Sequence, residues 1–460
     1  MPFFFDGIPL GSSAKINPMS DLLVKKIRQA GVVGAGGAGF PTYVKAESKA
    51  EVVVANGAEC EPLLHKDKEL LKRAAPAVVR GLEILMESTG ATTGLIGIKS
   101  KNHDAVEAVR RALSSDRVKV HPLGDFYPAG DEYTLVYETT RRLIPPAGIP
   151  IEVGVVVNNV ETLYNVSRAA DGIPVTEKYV TVAGAVKNPS TFLVPLGCSF
   201  RQLIDAAGGV LVEDPVIVDG GPMMGKIVQS MDLPVTKTTG GLIVLSARHP
   251  LVWRKSQPVR VFRKIGKSGC DQCSYCTQLC PRYLLGYPIE PHKVMRSLGF
   301  TGSQKELWSR WALLCCECSL CSLYSCPEQL DPRNVCVTAK GDLRKNNILW
   351  KNSGMPAGPR KTHGMYPYRK TPIKLLMKRL GLHGYDKPAP LADSPLSTGR
   401  VTLSLSQHVG APAIPVVKPG QKVQRGDVVA EPPEGKLGAL LHSSLTGTVR
   451  QTDPAIVIES

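Results

Sequence analysis

Cys270-Asp271-Gln272-Cys273-Ser274-Tyr275-Cys276-Thr277-Gln278-Leu279-Cys280-Pro281 is the stretch from which the rest of the chain can be read. Its spacing is C-x2-C-x2-C-x3-C-P, the run that ligates cubane iron–sulfur clusters. Three thiolates two residues apart wrap one cubane. The fourth cysteine departs towards a second cubane, and the proline keeps the chain from closing back. A second copy follows as Cys315-Cys316-Glu317-Cys318-Ser319-Leu320-Cys321 with Cys326-Pro327, one residue longer before its last cysteine. The pair predicts two [4Fe–4S] clusters with crossed ligation. One would use Cys270, Cys273, Cys276 and Cys326, and the other Cys315, Cys318, Cys321 and Cys280. Zinc also takes C-x2-C pairs, but it requires neither the third cysteine nor the trailing Cys-Pro. Cys316 could replace Cys315, although its C-x-C spacing to Cys318 fits less well. Cys60, Cys198 and Cys336 stand apart and read as structural thiols.

Nine of the 12 cysteines lie between Cys270 and Cys326, which indicates metal rather than disulfides. The 460 residues correspond to about three or four domains. Glycine (44) and proline (37) favour turn-rich α/β and β modules over a helical bundle. No apolar run reaches the roughly 18 residues of a membrane span. The start, with Phe3-Phe4-Phe5, lacks a basic n-region and an h-region, so a cytoplasmic protein is expected. The net charge is +16. Between Lys340 and Lys387 twelve Lys/Arg face only Asp342 and Asp386, so most of the excess is a local patch and not a nucleic-acid-binding fold. That segment reads as a solvated linker, or else as a docking surface for an acidic partner.

Upstream, Ser20 to Ala30 has helical spacing, and Gly34-Ala35-Gly36-Gly37-Ala38-Gly39 follows it. A Rossmann fingerprint would follow a strand, so the ordinary dinucleotide reading is disfavoured. The loop can still present backbone N–H groups to a phosphate, with Lys45 adding charge. Lys66 to Glu87 reads as a helix broken near Pro76, and Val153 to Val157 as a strand. Residues 177–247 read as a small α+β unit. Residues 396–460 read as all-β, with an amphipathic helix before them around Ile373 to Leu380.

Four ordered stretches carry a family resemblance. Gly34 to Thr42 with Lys45, Asn56-Gly57-Ala58-Glu59-Cys60-Glu61-Pro62, Tyr127-Pro128-Ala129-Gly130-Asp131-Glu132 and Asn159-Val160-Glu161-Thr162 resemble the NADH-binding flavoprotein subunit of complex I. They are closer still to the C subunit of Rnf-type ferredoxin:NAD oxidoreductases. The resemblance implies noncovalent FMN with NADH stacked on it. Gly34, Gly36, Gly37 and Lys45 would lie along the flavin and its phosphate. Asn56, Glu59, Asn159 and Thr162 would bond the flavin or its ribityl chain, and Phe40 and Glu132 would lie near the nicotinamide nucleotide. The complex I loop has an arginine where this chain has Ala35. No side-chain acid or base is required, so no catalytic residue is expected.

The implied architecture is multidomain α/β and α+β. It comprises an FMN/NADH-binding α/β domain (1–176), a β-grasp soluble-ligand-binding domain (177–247), a two-cluster ferredoxin-like helical domain (248–339), a basic linker (340–395) and an all-β barrel-sandwich module (396–460). The tip Ser443-Ser444-Leu445-Thr446-Gly447 lacks a lysine, so no covalent lipoate or biotin is expected, and His408 reads as a structural hydrogen-bonder. In the Rnf protein this module is N-terminal. Its C-terminal position here resembles the cobalamin reductases of propanediol-utilisation bacterial microcompartments. That resemblance implies a corrinoid acceptor, reduced from cob(III)alamin to cob(II)- and cob(I)alamin for a B12-dependent diol dehydratase system. It also implies an adenosyltransferase and shell proteins as partners. No Asp-x-His-x-x-Gly corrinoid loop is present, so corrinoid binding would be transient. Alternatives are an Rnf-type subunit exchanging electrons with ferredoxin, and a non-enzymatic conduit or assembly protein of a microcompartment shell.

Overall fold

The computed structural model describes residues 18–356 and 361–460. The reading of residues 1–10 lies outside them. The first domain is built on four parallel strands, ordered Val118–Leu123, Thr93–Lys99, Val52–Gly57 and Val155–Asn159. The Val/Ile runs of these strands are buried, as parallel sheets covered by helices require. The helix Lys66–Thr89 buries Leu70, Leu71, Val78, Val79, Leu82 and Leu85. It bends at Ala74, two residues before Pro76, because proline lacks the N–H and crowds the preceding turn. The glycine loop follows the helix Pro18–Gln29 rather than a strand. It is closed by Gly34 N–H on Phe40 O (2.9 Å) and Gly39 N–H on Gly34 O (3.1 Å).

The second domain is a five-stranded sheet ordered Ser190–Pro195, Glu177–Gly184, Gly241–Ser246, Pro215–Asp219 and Lys226–Val228. Its central pair, Gly241–Ser246 and Glu177–Gly184, is parallel, and the remaining pairs are antiparallel. A helix, Phe200–Ala206, starts on a Ser199/Gln202 capping box. Glu61 joins this domain to the first: its carboxylate accepts from Met223 N–H (2.8 Å) and Met224 N–H (2.9 Å). The approach is so close that a Cβ on Gly221 would lie 2.2 Å from Glu61 Oε2.

The cysteine region carries the helices Pro250–Lys255, Val259–Gly269, Pro291–Ser297, Gly302–Ser309 and Pro332–Lys345 around its two loops. Residues 340–395 are not the free basic linker expected. The helix Pro332–Lys345 runs into the segment. Further on, Thr371–Pro372 pairs with Phe126–Tyr127 of the first domain. The helix Ile373–Leu380 buries Ile373, Leu376, Met377 and Leu380 against Leu63, Tyr127 and Leu320. Lys370 pairs with Glu138 at 2.6 Å. Lys340 is buried on Glu317, while Lys351, Lys361, Lys374, Lys378, Arg379 and Lys387 are exposed on a strap whose apolar stripe is core.

The C-terminal module is two small sheets. Arg400–Ser404, Ala455–Glu459, Gly447–Gln451 and Lys422–Val423 form one, and Ile414–Pro415, Val428–Glu431 and Leu441–His442 the other. Its core residues Val401, Leu403, Val429, Val449, Ile456 and Ile458 join one continuous cluster with the first domain. It touches the glycine loop directly, through Val409 N–H on Gly39 O at 2.9 Å. His408 accepts Ala439 N–H through Nε2 at 3.3 Å, a structural contact. No helix of the described residues is long and apolar enough to cross a membrane.

Candidate functional site

The four motifs meet at the glycine loop. Thr162 accepts the N–H of Ala35 at 2.9 Å, which pins the loop to the helix Val160–Ala170. Asn159 caps that helix, accepting Glu161 N–H at 3.0 Å, and donates to Asp67 at 2.8 Å. A Cβ on Gly36 would lie 3.3 Å from Asn159, whereas one on Gly37, at φ +107°, would meet nothing within 4 Å. Gly36, Gly37 and Ala38 are exposed, and their N–H groups make no bond among the described residues. These three consecutive amides on an open loop are the kind of donors that a backbone anion site uses. Lys45 donates to Val157 O (2.7 Å) and reaches Glu132 at 3.5 Å. Asn56 donates to Gly130 O at 2.9 Å, linking two motifs. Glu59 accepts Asp67 and Lys68 N–H at 2.7 and 3.2 Å, so it serves the positive end of the helix Lys66–Thr89. Burial, with Asp67 nearby, raises its carboxyl to about 7. Phe40 lies half-buried beside the loop.

Beneath the loop lies a charge network that the sequence reading missed. Glu161 and Lys178 are each only 1% exposed and form an ion pair. Lys66 joins Glu161 at 3.0 Å and Asp67 at 2.5 Å. Lys178 also donates to Ala35 O at 3.1 Å, so the network holds the glycine loop from below. Burial would raise the Glu161 carboxyl, but Lys178 and Lys66 hold it below its ordinary value. Glu161 stood inside the Asn-Val-Glu-Thr motif, and that charged residue ahead of an apolar run was the available signal.

The two cysteine loops have one backbone signature. Gln272 and Ser274 have φ of +58° and +63°, and Glu317 and Ser319 have φ of +62° and +66°. These left-handed residues fall two and four after Cys270 and two and four after Cys315, so Cys315 is the counterpart of Cys270 and Cys316 that of Asp271. Side chains cross between the loops. Cys276 neighbours Cys270, Cys273 and Cys326, Cys280 neighbours Cys315 and Cys316, Cys318 neighbours Cys280 and Cys321, and Cys321 neighbours Cys276 as well as Cys315 and Cys280. No disulfide forms among them. No group of three side chains among the described residues is drawn in as tightly as a single metal ion requires. Cys336 does not stand apart as expected: its thiol lies against Cys315. Cys198 is a buried thiol, as a structural role requires, and burial pushes it up to about 12.

The loops face different neighbours. Cys273 is exposed. Loop 315–321 packs on the flavin-side domain, where Tyr127 donates its buried hydroxyl to Cys318 O at 2.9 Å. Arg282, just past loop 270–280, pairs with Asp131 at 2.8 Å and lies over the Tyr133 ring, 3.3 Å from its centroid. Tyr127, Asp131 and Glu132 belong to one motif, which thus meets loop 315–321 through Tyr127 and the end of loop 270–280 through Asp131.

This assembly defines a class: a flavin- and iron–sulfur-binding oxidoreductase. Residues 27–168 match the Nuo51 FMN-binding domain, 179–226 the SLBB domain, 269–331 a 4Fe-4S dicluster domain and 386–460 the RnfC barrel sandwich hybrid domain. The chain is 42% identical over 439 residues to cobalamin reductase PduS of Salmonella typhimurium strain LT2, covering 95% of this chain and 96% of that one. It is 41% identical to the Citrobacter freundii protein of the same name, over 94% and 95% of the two chains. The chain belongs to the PduS cobalamin reductase family. The C subunit of the Na(+)-translocating ferredoxin:NAD(+) oxidoreductase of Acetobacterium woodii is 36% identical over 63% of this chain and 62% of its own.

Proposed function

We propose that the chain is an NADH-dependent reductase that carries electrons from a flavin site through two clusters to a corrinoid, taking cob(III)alamin to cob(II)- and cob(I)alamin. Bound FMN would supply two-electron acceptance from NADH and one-electron release, and [4Fe–4S] clusters the single-electron relay. Gly36, Gly37 and the free amides of their loop would cradle the flavin phosphate, with Gly34 and Lys45 alongside. Asn56, Glu59, Asn159 and Thr162 would hold the flavin or its ribityl chain, directly or by fixing the loop. Phe40 and Glu132 would border the nicotinamide. Cys280, Cys315, Cys318 and Cys321 would hold the cluster nearer the flavin-side domain, and Cys270, Cys273, Cys276 and Cys326 the outer one. The shared left-handed pattern supports Cys315 over Cys316 as the ligand. The observation that carries the reading is the Tyr127–Cys318 contact, which seats one cysteine loop on the nucleotide motif while Cys273 faces outward.

The cobalamin acceptor rests on the likeness to the two cobalamin reductases of Salmonella typhimurium and Citrobacter freundii. Placement in a microcompartment, with shell proteins and an adenosyltransferase as neighbours, rests on resemblance. The test is anaerobic reconstitution, assay of FMN and iron, and addition of NADH with and without cob(III)alamin. Bleaching of flavin and clusters by NADH, reversed by the corrinoid, is expected. Bleaching that only ferredoxin reverses would replace the acceptor with that of an Rnf-type protein. Clusters without flavin or NADH oxidation would leave an electron conduit.

A further inference from the structure

Arg282 has a chemistry that the contacts described above do not exhaust. It is 8% exposed, and only Nη2 is satisfied, by Asp131. Nε and Nη1 are buried without a hydrogen-bond partner. A guanidinium brings five N–H donors in a fixed fork, and leaving a buried donor unpaired costs about 1–3 kcal/mol. The Tyr133 face covers the guanidinium and offers no lone pair. Sulfur is close as well: Cys316 lies beside the guanidinium, and Cys280 sits two residues back along the chain and beside Cys316. In the outer loop the position of Cys316 is held by Asp271. A carboxylate in that place would be a strong acceptor for these N–H groups, whereas the Cys316 thiol beside them is only a weak one.

We propose that Arg282 is a positioning residue for electron transfer, whose Nε–H and Nη1–H groups donate to the sulfur of the cluster held by Cys280 and loop 315–321, and whose pair with Asp131 ties that cluster's charge balance to the nucleotide side of the flavin domain. The proposal rests on the two-cluster reading above. A cluster that gains one electron gains one negative charge, and hydrogen bonds to its sulfur with a nearby cation stabilise that form. Asp131 opposes Arg282 in sign. It also caps the helix Glu132–Thr140, accepting Thr134 N–H at 3.2 Å, so it stands between the cation and Glu132. The two charges therefore pull the potential of one cluster in opposite directions and leave the outer cluster alone.

The experiment is an EPR-monitored redox titration of the reconstituted full chain, after iron and sulfide assay. Arg282→Met should lower the reduction equilibrium of one cluster at least about tenfold, or about 59 mV for one electron. Asp131→Asn, which keeps a capping side chain, should raise it for the same cluster. The other cluster should hold its potential in both variants. Shifts of like sign, equal shifts in both clusters, or no shift would overturn the proposal. Where Arg282→Met does not assemble, Arg282→Lys decides: it keeps the charge without the fork, and a smaller fall in the same cluster is expected, whereas an unchanged potential overturns the proposal. Wild-type protein without two clusters overturns the two-cluster reading itself, and iron content separates that failure from an unshifted potential.

Discussion

The loops 270–276 and 315–321 share a C-x2-C-x2-C spacing and a backbone, yet one is surface and the other is interior. Loop 270–280 follows the helix Val259–Gly269, displays Cys273 to solvent, and has Gln272 Nε2 donating to Cys270 Sγ at 3.1 Å. Loop 315–321 is clamped from three sides: Tyr127 bonds Cys318 O, Lys340 bonds Cys315 O at 2.9 Å and Glu317 at 2.6 Å, and Arg333 reaches Glu317 at 3.5 Å. The cysteine spacing dictates the left-handed turns. It does not dictate what surrounds them, and the surroundings divide a relay into an inner and an outer station.

The largest effect expected follows from removing one ligand from each station. Cys318→Ala should leave NADH able to bleach flavin but no cluster. Cys273→Ala should leave the inner cluster reducible by NADH while delivery to an external acceptor fails. Stopped-flow absorbance separates the two. If both variants blocked cluster reduction equally, the inner and outer assignment would fall.

The next contrast is structural. Glu317→Gln strips a nearly buried Lys340 of its carboxylate, and breaking a buried pair in this way costs about 3–5 kcal/mol. Asp271→Asn, at the exposed loop where Asp271 makes no ion pair among the described residues, should fall within about 0.5 kcal/mol of wild type. Thermal or urea unfolding of the reconstituted variants measures both. Equal losses would mean that the clamp contributes nothing. Tyr127→Phe is milder. It leaves Cys318 O unpaired, which should cost about 1 kcal/mol and slow inner-cluster reduction without slowing flavin bleaching.

Legibility in the sequence followed range. The cysteine spacing, the four flavin motifs and the helix Ile373–Leu380 are local patterns, and the structure places their residues together or in the expected element. Arg282 and Asp131 are separated by 151 residues, and nothing local to either announces the pair. Lys66, Glu161 and Lys178 converge from three elements in the same way. Residues 340–395 misled for a different reason. Twelve cations dominate the composition of the segment, while the burial of Tyr366, Ile373, Leu376 and Leu380 depends on a stripe that composition averages away. Spacing favoured Cys315 over Cys316 without deciding between them, and the φ angles of Glu317 and Ser319 add that Cys315 occupies the place of Cys270 in its loop.

The smallest expected effect concerns acid. His292 Nδ1 bonds the Thr277 hydroxyl at 2.8 Å, anchoring the outer loop, and no histidine bonds loop 315–321 among the described residues. Burial lowers the His292 imidazole below its ordinary 6.5, with Glu290 partly opposing that shift. A base whose folded pKa is depressed contributes stability that is complete above its unfolded value and is lost as pH falls through the folded one. Acidification from about pH 7.5 to about pH 5 should therefore loosen the outer loop first, and the EPR signal of its cluster should fade before that of the inner one. His292→Asn can still bond Thr277 but does not titrate in this range, so it should remove the difference between the stations. Parallel loss of both clusters, or an unaltered acid response in His292→Asn, would mean that the outer loop owes its hold to something other than this histidine.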